Sequence, residues 1–373
     1  MKTGITDQPN LHLEEDLLGL KTHSEALRRF IEQTDTPMTI GLQGEWGSGK
    51  TSLMNEIKGY FDIRNKNESA EAKVLQIWVN TWEKSLLKKP EDALIEILNY
   101  IISQLVIADS NVNKAGRNKK NLGFALSKSA KIAASFAGKT AERLADTLIP
   151  EFDSDISKVK DELERSVLEL EERKTNPFCK ILIYVDDLDR LEPKQAVAIL
   201  ELFKNLFSIK NCVFILAIDY QVIVKGLQQK FGEKQEDNEW EFRAFFDKII
   251  QLPFKMPIHQ YDIGTYVSSL LKKIGFINDN EKQFQSEEIK TIVRNSIGGN
   301  PRSIKRLVNS LSLIQIFTEI KNKNFKSNND SSSLEKSLIF YLLCIQIAYP
   351  KVYAVLEYEP DFIESWDANK NSK

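Results

Sequence analysis

Lys50 is followed by a hydroxyl, Thr51, and preceded by glycines at 44, 47 and 49. The stretch Gly44-Glu45-Trp46-Gly47-Ser48-Gly49-Lys50-Thr51 fits G-x-x-x-x-G-K-[ST] at every fixed position. Those residue types in that order suit the holding of a polyphosphate. Glycines let successive backbone N–H groups curl around an anion, and a helix starting there adds its positive dipole end. The lysine can reach the β- and γ-phosphates, and the threonine hydroxyl can hold Mg²⁺. Gly44, Glu45, Trp46, Gly47, Ser48, Gly49, Lys50, Thr51 and Ser52 are therefore the candidate nucleotide contacts. Lys50 is also a candidate catalytic residue, and Thr51 a candidate metal ligand.

Such a loop needs an acidic partner, and one apolar run supplies it. Ile181-Leu182-Ile183-Tyr184-Val185 leads straight into Asp186-Asp187-Leu188-Asp189-Arg190. At the end of a buried strand one carboxylate can hold Mg²⁺ through its water shell. The next can orient the attacking water or take its proton. Asp186 is assigned the metal and Asp187 the water, with Asp189 as the fallback for the second role. A further apolar run, Cys212 to Ile218, ends in Asp219. If that strand lies between the other two, Asp219 faces the γ-phosphate; otherwise it is a solvent-facing acid at a strand end. Ser296-Ile-Gly-Gly-Asn300 has letters like the signature loop of ABC-type ATPases. It falls after the acidic strand and not before it, so it reads as a turn before a helix with Pro301 at its first position.

The elements that must position these residues follow from periodicity. Thr39, Ile40 and Leu42 read as a short buried strand, and Ser52 onward as a helix with Leu53, Met54 and Ile57 on one face. Residues 74–79 read as a second strand, running into Asn80-Thr81-Trp82. Residues 91–108 form an apolar helix, interrupted by Glu96, Asn99 and Gln104 and so short of the ~20 apolar residues a membrane span needs. Helices are expected over 193–208 and 221–231, a polar loop over 233–241, and a short strand ahead of Pro253-Phe-Lys-Met-Pro257. An N-terminal helix, capped by Ser24 and ended by Pro37, covers the sheet edge or lies beside the base. From Tyr261 the pattern is helical: 261–274, 286–296, 301–320, then a linker over 321–333, a helix over 334–348 and a last short one between Pro350 and Pro360.

One segment breaks the alternation of strands and helices. Residues 110–141 contain no acid and carry Lys114, Arg117, Lys119, Lys120, Lys128, Lys131 and Lys139; residues 142–174 are predominantly acidic. A two-helix projection whose halves attract each other is the reading, and the basic 114–139 stretch is a candidate contact for nucleic acid. The chain of 373 residues carries a net charge of −2, which gives no bulk argument for nucleic acid or an anionic membrane. Its three cysteines form no C-x-x-C and fit a reducing cytoplasm, and its three histidines show no metal-ligand spacing.

Several motifs together resemble the KAP family of P-loop NTPases, within the STAND class. Gly44 to Thr51 is similar to its Walker A motif, Asn80-Thr-Trp82 to its Asn-x-Trp signature, and Asp186-Asp-Leu-Asp-Arg190 to its Walker B motif. Phe246 to Phe254 resembles its strand-five motif, and Gly299-Asn-Pro-Arg-Ser-Ile-Lys-Arg306 with Asn309 its C-terminal Asn-Pro-Arg motif. The resemblance runs from about residue 14 to residue 320. It implies an α/β P-loop NTPase with a five-stranded, mainly parallel sheet of the ASCE type, a helical insertion between Walker A and Walker B, and an all-α C-terminal domain. The expected boundaries are 1–109 and 176–258 for the two parts of the NTPase domain, 110–175 for the insertion, 259–320 for the helical sensor domain and 321–373 for the terminal part. It implies Mg-dependent binding of ATP, with GTP left open because no Asn-Lys-x-Asp motif is present. It also implies that Arg302 reaches the nucleotide from the helical domain as sensor or finger. Many members carry transmembrane helices where this chain has 110–175, which cannot span. The soluble bacterial members resemble switch ATPases of antiviral defence, which implies a protein effector or ATP-dependent self-assembly into an oligomer. A nucleic-acid-dependent ATPase and a non-hydrolysing scaffold are the other readings, and the intact Asp186–Asp187 pair speaks against the scaffold.

Overall fold

The structure, a computed structural model, describes residues 4–8, 16–66, 73–86, 178–206, 208–278, 287–325 and 333–361, with parts of 93–108 and positions 164, 167, 168 and 171. The basic stretch 114–139 and the 110–175 segment, apart from those four positions, lie outside the described residues. The chain divides into two compact units: Ser24–Trp46 with Lys50–Met256, and Met1–His23 with Gly47–Gly49 and Pro257–Lys373.

The first is built on a sheet of five strands in the order β2-β3-β4-β1-β5, every adjacent pair parallel. The strands are β1 (Met38–Gln43), β2 (Lys73–Asn80), β3 (Phe178–Asp186), β4 (Cys212–Ile218) and β5 (Leu252–Lys255). β4 is buried at all seven positions, and β3 from Ile181 to Asp186, as central strands covered on both faces must be. Pro253 sits in β5 at the sheet edge, where a missing N–H costs no ladder bond. Among the described residues the strands are accompanied by the helices α1 (Lys21–Gln33), α2 (Lys50–Lys66), α3 (Thr81–Ser85), α4 (Pro193–Leu206), α5 (Tyr220–Phe231) and α6 (Glu239–Asp247). Described residues of 93–108 add Ile97, Ile101, Ile102 and Leu105 to the core, as a buried helix there requires, and Val167 joins them. The Lys180 ammonium, on β3, donates to the carbonyls of Ile31, Glu32 and Thr34 and so closes the end of α1.

In the other unit every regular element is helical among the described residues: α7 (Ile263–Lys273), α8 (Glu287–Ser296), α9 (Pro301–Phe325), α10 (Ser333–Ala348) and α11 (Pro350–Tyr358), with a 3-10 turn at Ile258–Gln260. Ile304, Leu307, Val308 and Leu311 recur at helical spacing and make the buried face of α9. Among the described residues no helix is long and apolar enough to cross a membrane.

Four expectations need correction. The short strand does not precede Pro253: β5 spans Leu252–Lys255 and includes it, and Phe245 and Phe246 belong to α6. Ser24 is not a cap: it lies buried inside α1, and the helix start is held by Asp16, whose two oxygens accept from the N–H groups of Leu20 and Lys21 at 2.6 and 2.8 Å. The polar loop at 233–241 ends early, because α6 begins at Glu239 and buries Phe242, Phe245 and Phe246. The linker begins late, since α9 continues to Phe325.

Candidate functional site

β1 ends at Gln43, and α2 begins at Lys50, so the glycine loop is the whole of the connection. Gly47 and Gly49 hold φ values of +85° and +99°, which a side chain would resist. A Cβ at Gly47 would also lie 2.6 Å from the Cβ of Arg302 and 2.7 Å from Asn300 Oδ1. The loop tip is anchored by Tyr261, whose hydroxyl donates to the carbonyl of Ser48 at 2.8 Å. The Ser48 hydroxyl is buried without a hydrogen-bond partner. A buried, unsatisfied hydroxyl within a loop of this shape is what a ligand-dependent site leaves behind.

Lys50 and Thr51 open α2 and meet the acids at the end of β3. The Lys50 ammonium has three acceptors: the carbonyls of Gly44 and Glu45 at 2.7 and 3.1 Å and Asp189 Oδ2 at 3.1 Å. Lys50 and Asp189 are both more than nine-tenths buried, so this is a desolvated ion pair. Thr51 Oγ1 lies 3.2 Å from Asp186 Oδ1. That brings together the hydroxyl and the carboxylate assigned to the metal. Burial above all, then the charge of Asp187, raises the Asp186 carboxyl to a pKa of about 6. A carboxylate kept this dry and close to another acid is primed for a cation. The pair therefore fits Mg²⁺ as a donor set, with oxygen ligands only.

Asp187 is held differently. Its backbone sits in the left-handed region at φ 60°, ψ 25°, a conformation that Asp tolerates better than most residues. Its N–H donates to Asp186 Oδ1 at 2.9 Å. Asn80 Nδ2 donates to one carboxylate oxygen at 2.8 Å, and Arg190 pairs with the other at 2.7 Å. Arg190 in turn lies over the Trp82 ring, 5.2 Å from its centre. Asn80 also caps α3, accepting from the Glu83 N–H at 2.9 Å. The register places Asn80 opposite Asp186 across the β2–β3 ladder, so the end of β2 grips the acidic turn.

β4 does lie between β1 and β3. Its terminal Asp219 caps α5, accepting from the Gln221 N–H at 3.0 Å. The loop's first N–H, Gly44, donates to Ile218 at 3.1 Å, which ties the loop to the end of β4. Arg302 follows Pro301 at the start of α9, with its N–H donating to Asn300 Oδ1 at 3.0 Å. In this structure its guanidinium pairs with Asp7. Ser52, Glu45 and Trp46 take their places in the loop and first helical turn, Glu45 and Trp46 on the exposed side.

Sequence reasoning gave no role of their own to Asn80 and Asp7, and only a fallback role to Asp189. The clustering of Asp189 with Asp186 and Asp187 was a visible signal. No signal joins Asn80 to a turn 107 positions away.

A five-stranded parallel sheet of this order, with a glycine loop at the end of β1 and acids at the end of β3, is the fold and site of a P-loop NTPase. The KAP family P-loop domain matches residues 21–317, most of the chain. The chain belongs to that family. The phage T7 exclusion protein of Escherichia coli strain K12 is 26% identical over 262 residues, covering 65% of this chain. The match takes in only 33% of that longer relative. A solved structure of the Aeropyrum pernix ORC2 protein, in ADPNP–ADP complexes, is 13% identical and covers 87% of this chain and 70% of that one at a TM-score of 0.37.

Proposed function

We propose that the chain binds Mg-ATP in the Gly44–Ser52 loop, hydrolyses it slowly, and uses the nucleotide state to switch its conformation or its assembly with a partner. The observation that carries this reading is the convergence of Lys50, Thr51, Asp186, Asp187 and Asp189 at the ends of β1 and β3, on either side of β4. Thr51 and Asp186 are the residues to hold Mg²⁺, which when bound screens the charge of the phosphates. Lys50 is the cation for the outer phosphates. Phosphate oxygens take over its third donor from Asp189. Asp187, fixed from both sides by Asn80 and Arg190, orients the attacking water or takes its proton. Arg302, on the helical unit, reads the terminal phosphate.

The relative from Escherichia coli is named a phage T7 exclusion protein, and a role in bacterial antiviral defence is the setting proposed here, in the cytoplasm and with a protein effector or further copies of the chain as partner. The 262 matched residues span a third of that protein. The STAND assignment rests on the motif resemblance.

The test compares binding with turnover. Lys50→Ala should lose the Mg-ATP-induced rise in melting temperature. Asp187→Asn should keep that rise and hydrolyse at least tenfold more slowly, the range for loss of a general base. An unchanged melting shift in Lys50→Ala would sink the nucleotide site. Parent-like turnover in Asp187→Asn would move the water role to another acid.

A further inference from the structure

Residues 4–8 are laid along one face of α9. Asn309 grips Ile5 by both of its backbone groups: the Ile5 N–H donates to Asn309 Oδ1 at 2.8 Å, and Asn309 Nδ2 donates to the Ile5 carbonyl at 2.9 Å. Asp7 pairs with Arg302, and the Lys305 ammonium lies 3.4 Å from the Gln8 carbonyl. Positions 302, 305 and 309 are spaced three and four apart, so they form a single ridge. This is the same stretch that carries the Asn-Pro-Arg motif. One carboxylate there serves two cations: Arg302 is only 18% exposed, and Lys305 has its pKa lowered by burial, with Asp7 opposing that shift and Arg302 adding to it. The backbone of α9 begins at Pro301, so its positive dipole end is at the same place. The stem of Arg302 packs against Gly47, at the tip of the glycine loop.

We propose that residues 4–8 occupy this face of α9 as an internal competitor of the nucleotide. Asp7 holds the guanidinium that, on the proposed reading, a terminal phosphate engages. The proposal rests on the reading of Arg302 as nucleotide sensor. A guanidinium accepts a carboxylate or a phosphoryl group through the same fork of donors, so the two occupants exclude each other. A diphosphate has no γ-phosphate to compete with Asp7, so segment 4–8 stays docked. A triphosphate releases it, and Ile5 loses its hold on Asn309. Segment 4–8 thereby reports which nucleotide is bound.

Hydrogen exchange on the full chain reads this directly at the Ile5 amide. Protection is expected without nucleotide and with Mg-ADP, and its loss with a saturating non-hydrolysable Mg-ATP analogue. Asp7→Asn should bind the analogue about two- to fivefold more tightly, the size a half-exposed ion pair supports, and leave ADP binding unchanged. In an Arg302→Ala background the same substitution should change nothing. Undiminished Ile5 protection under saturating analogue, or an unchanged analogue affinity in Asp7→Asn, overturns the competitor even where Arg302→Ala slows hydrolysis and the sensor reading stands. Arg302→Ala that binds, hydrolyses and exchanges like the parent overturns the sensor reading, and the competitor with it. Lys50→Ala separates both from a failure of the nucleotide site, because it should keep Ile5 protected at every analogue concentration.

Discussion

Asp186 should be worth more to the protein as a ligand than as a structural residue, and replacing it should make the nucleotide-free chain more stable. Its carboxyl has a pKa of about 6, against 3.8 for the unperturbed group, and burial is the leading cause. Between those two values the folded chain holds a proton that the unfolded chain has released. Stability therefore falls as pH rises through that window, and above pH 6 the cost is constant. Two units correspond to roughly 3 kcal/mol. Asp186→Asn removes the charge and keeps an oxygen that can accept from the Asp187 N–H and from Thr51, as Oδ1 does now. Urea unfolding followed by tryptophan fluorescence, without Mg²⁺ or nucleotide, should show the variant more stable by up to about 3 kcal/mol at pH 7.5. The gap should close at pH 4. Added Mg-ATP should reverse the order, because the parent gains binding energy that the variant has lost. A variant no more stable than the parent at pH 7.5, or a gap independent of pH, would refute the claim that this acid carries an unrelieved burial cost.

The remaining predictions concern the groups around it. Asp189→Asn leaves the Lys50 ammonium buried with carbonyls alone, so the nucleotide-free chain should lose about 3 kcal/mol in urea unfolding. Mg-ATP should stabilise it more than it stabilises the parent, because a phosphate no longer displaces a carboxylate. Asn80→Ala removes the α3 cap and one of the two groups holding Asp187; about 1–2 kcal/mol of stability should go. Its turnover should fall several-fold with nucleotide affinity unchanged, measured by steady-state hydrolysis beside a binding titration. Lys180→Met should cost about 2 kcal/mol in the same unfolding assay, through three carbonyls at the end of α1 left without their charged donor.

How much of this was legible in the sequence divides along a physical line. The glycine loop and the acid cluster were legible because each is one contiguous piece of chain whose chemistry is set by its own neighbours. β3 and β4 were legible because a strand buried on both faces is apolar without interruption. α6 was missed where its first residues, Glu239-Trp240-Glu241, read as polar loop; Phe242, Phe245 and Phe246 at helical spacing were the signal available. Ser24 has a residue type that favours a cap, but a cap is decided by which oxygen faces the free N–H groups, and Asp16 supplies two. What pairs with what across the fold was not legible at all. Lys50 with Asp189 and Arg302 with Asp7 are ion pairs between residues far apart in sequence, and every charged residue has many such partners open to it until the chain has folded.

The pairings missed in the sequence share a feature that bears on mechanism. Lys50, Asp187 and Arg302 are each assigned a part in the chemistry, and each has a partner of opposite charge in this structure: Asp189, Arg190 and Asp7 respectively. Ion pairs of this kind neutralise groups that would otherwise be buried charges, so they keep the nucleotide-free chain folded. They also set a threshold, because a ligand must offer better interactions than the residues it replaces. On the proposed reading of Lys50 and Arg302, a triphosphate with its cation replaces two of the three, whereas a diphosphate lacks the group proposed for Arg302. Asp187 is the exception: its contacts to Asn80 and Arg190 come from the same sheet end and fix its carboxylate, as the water role proposed for it requires. On this argument two of the pairs are there to be exchanged and one to persist. Asn80→Ala and Asp189→Asn should therefore have opposite signatures, the first acting on turnover and the second on affinity.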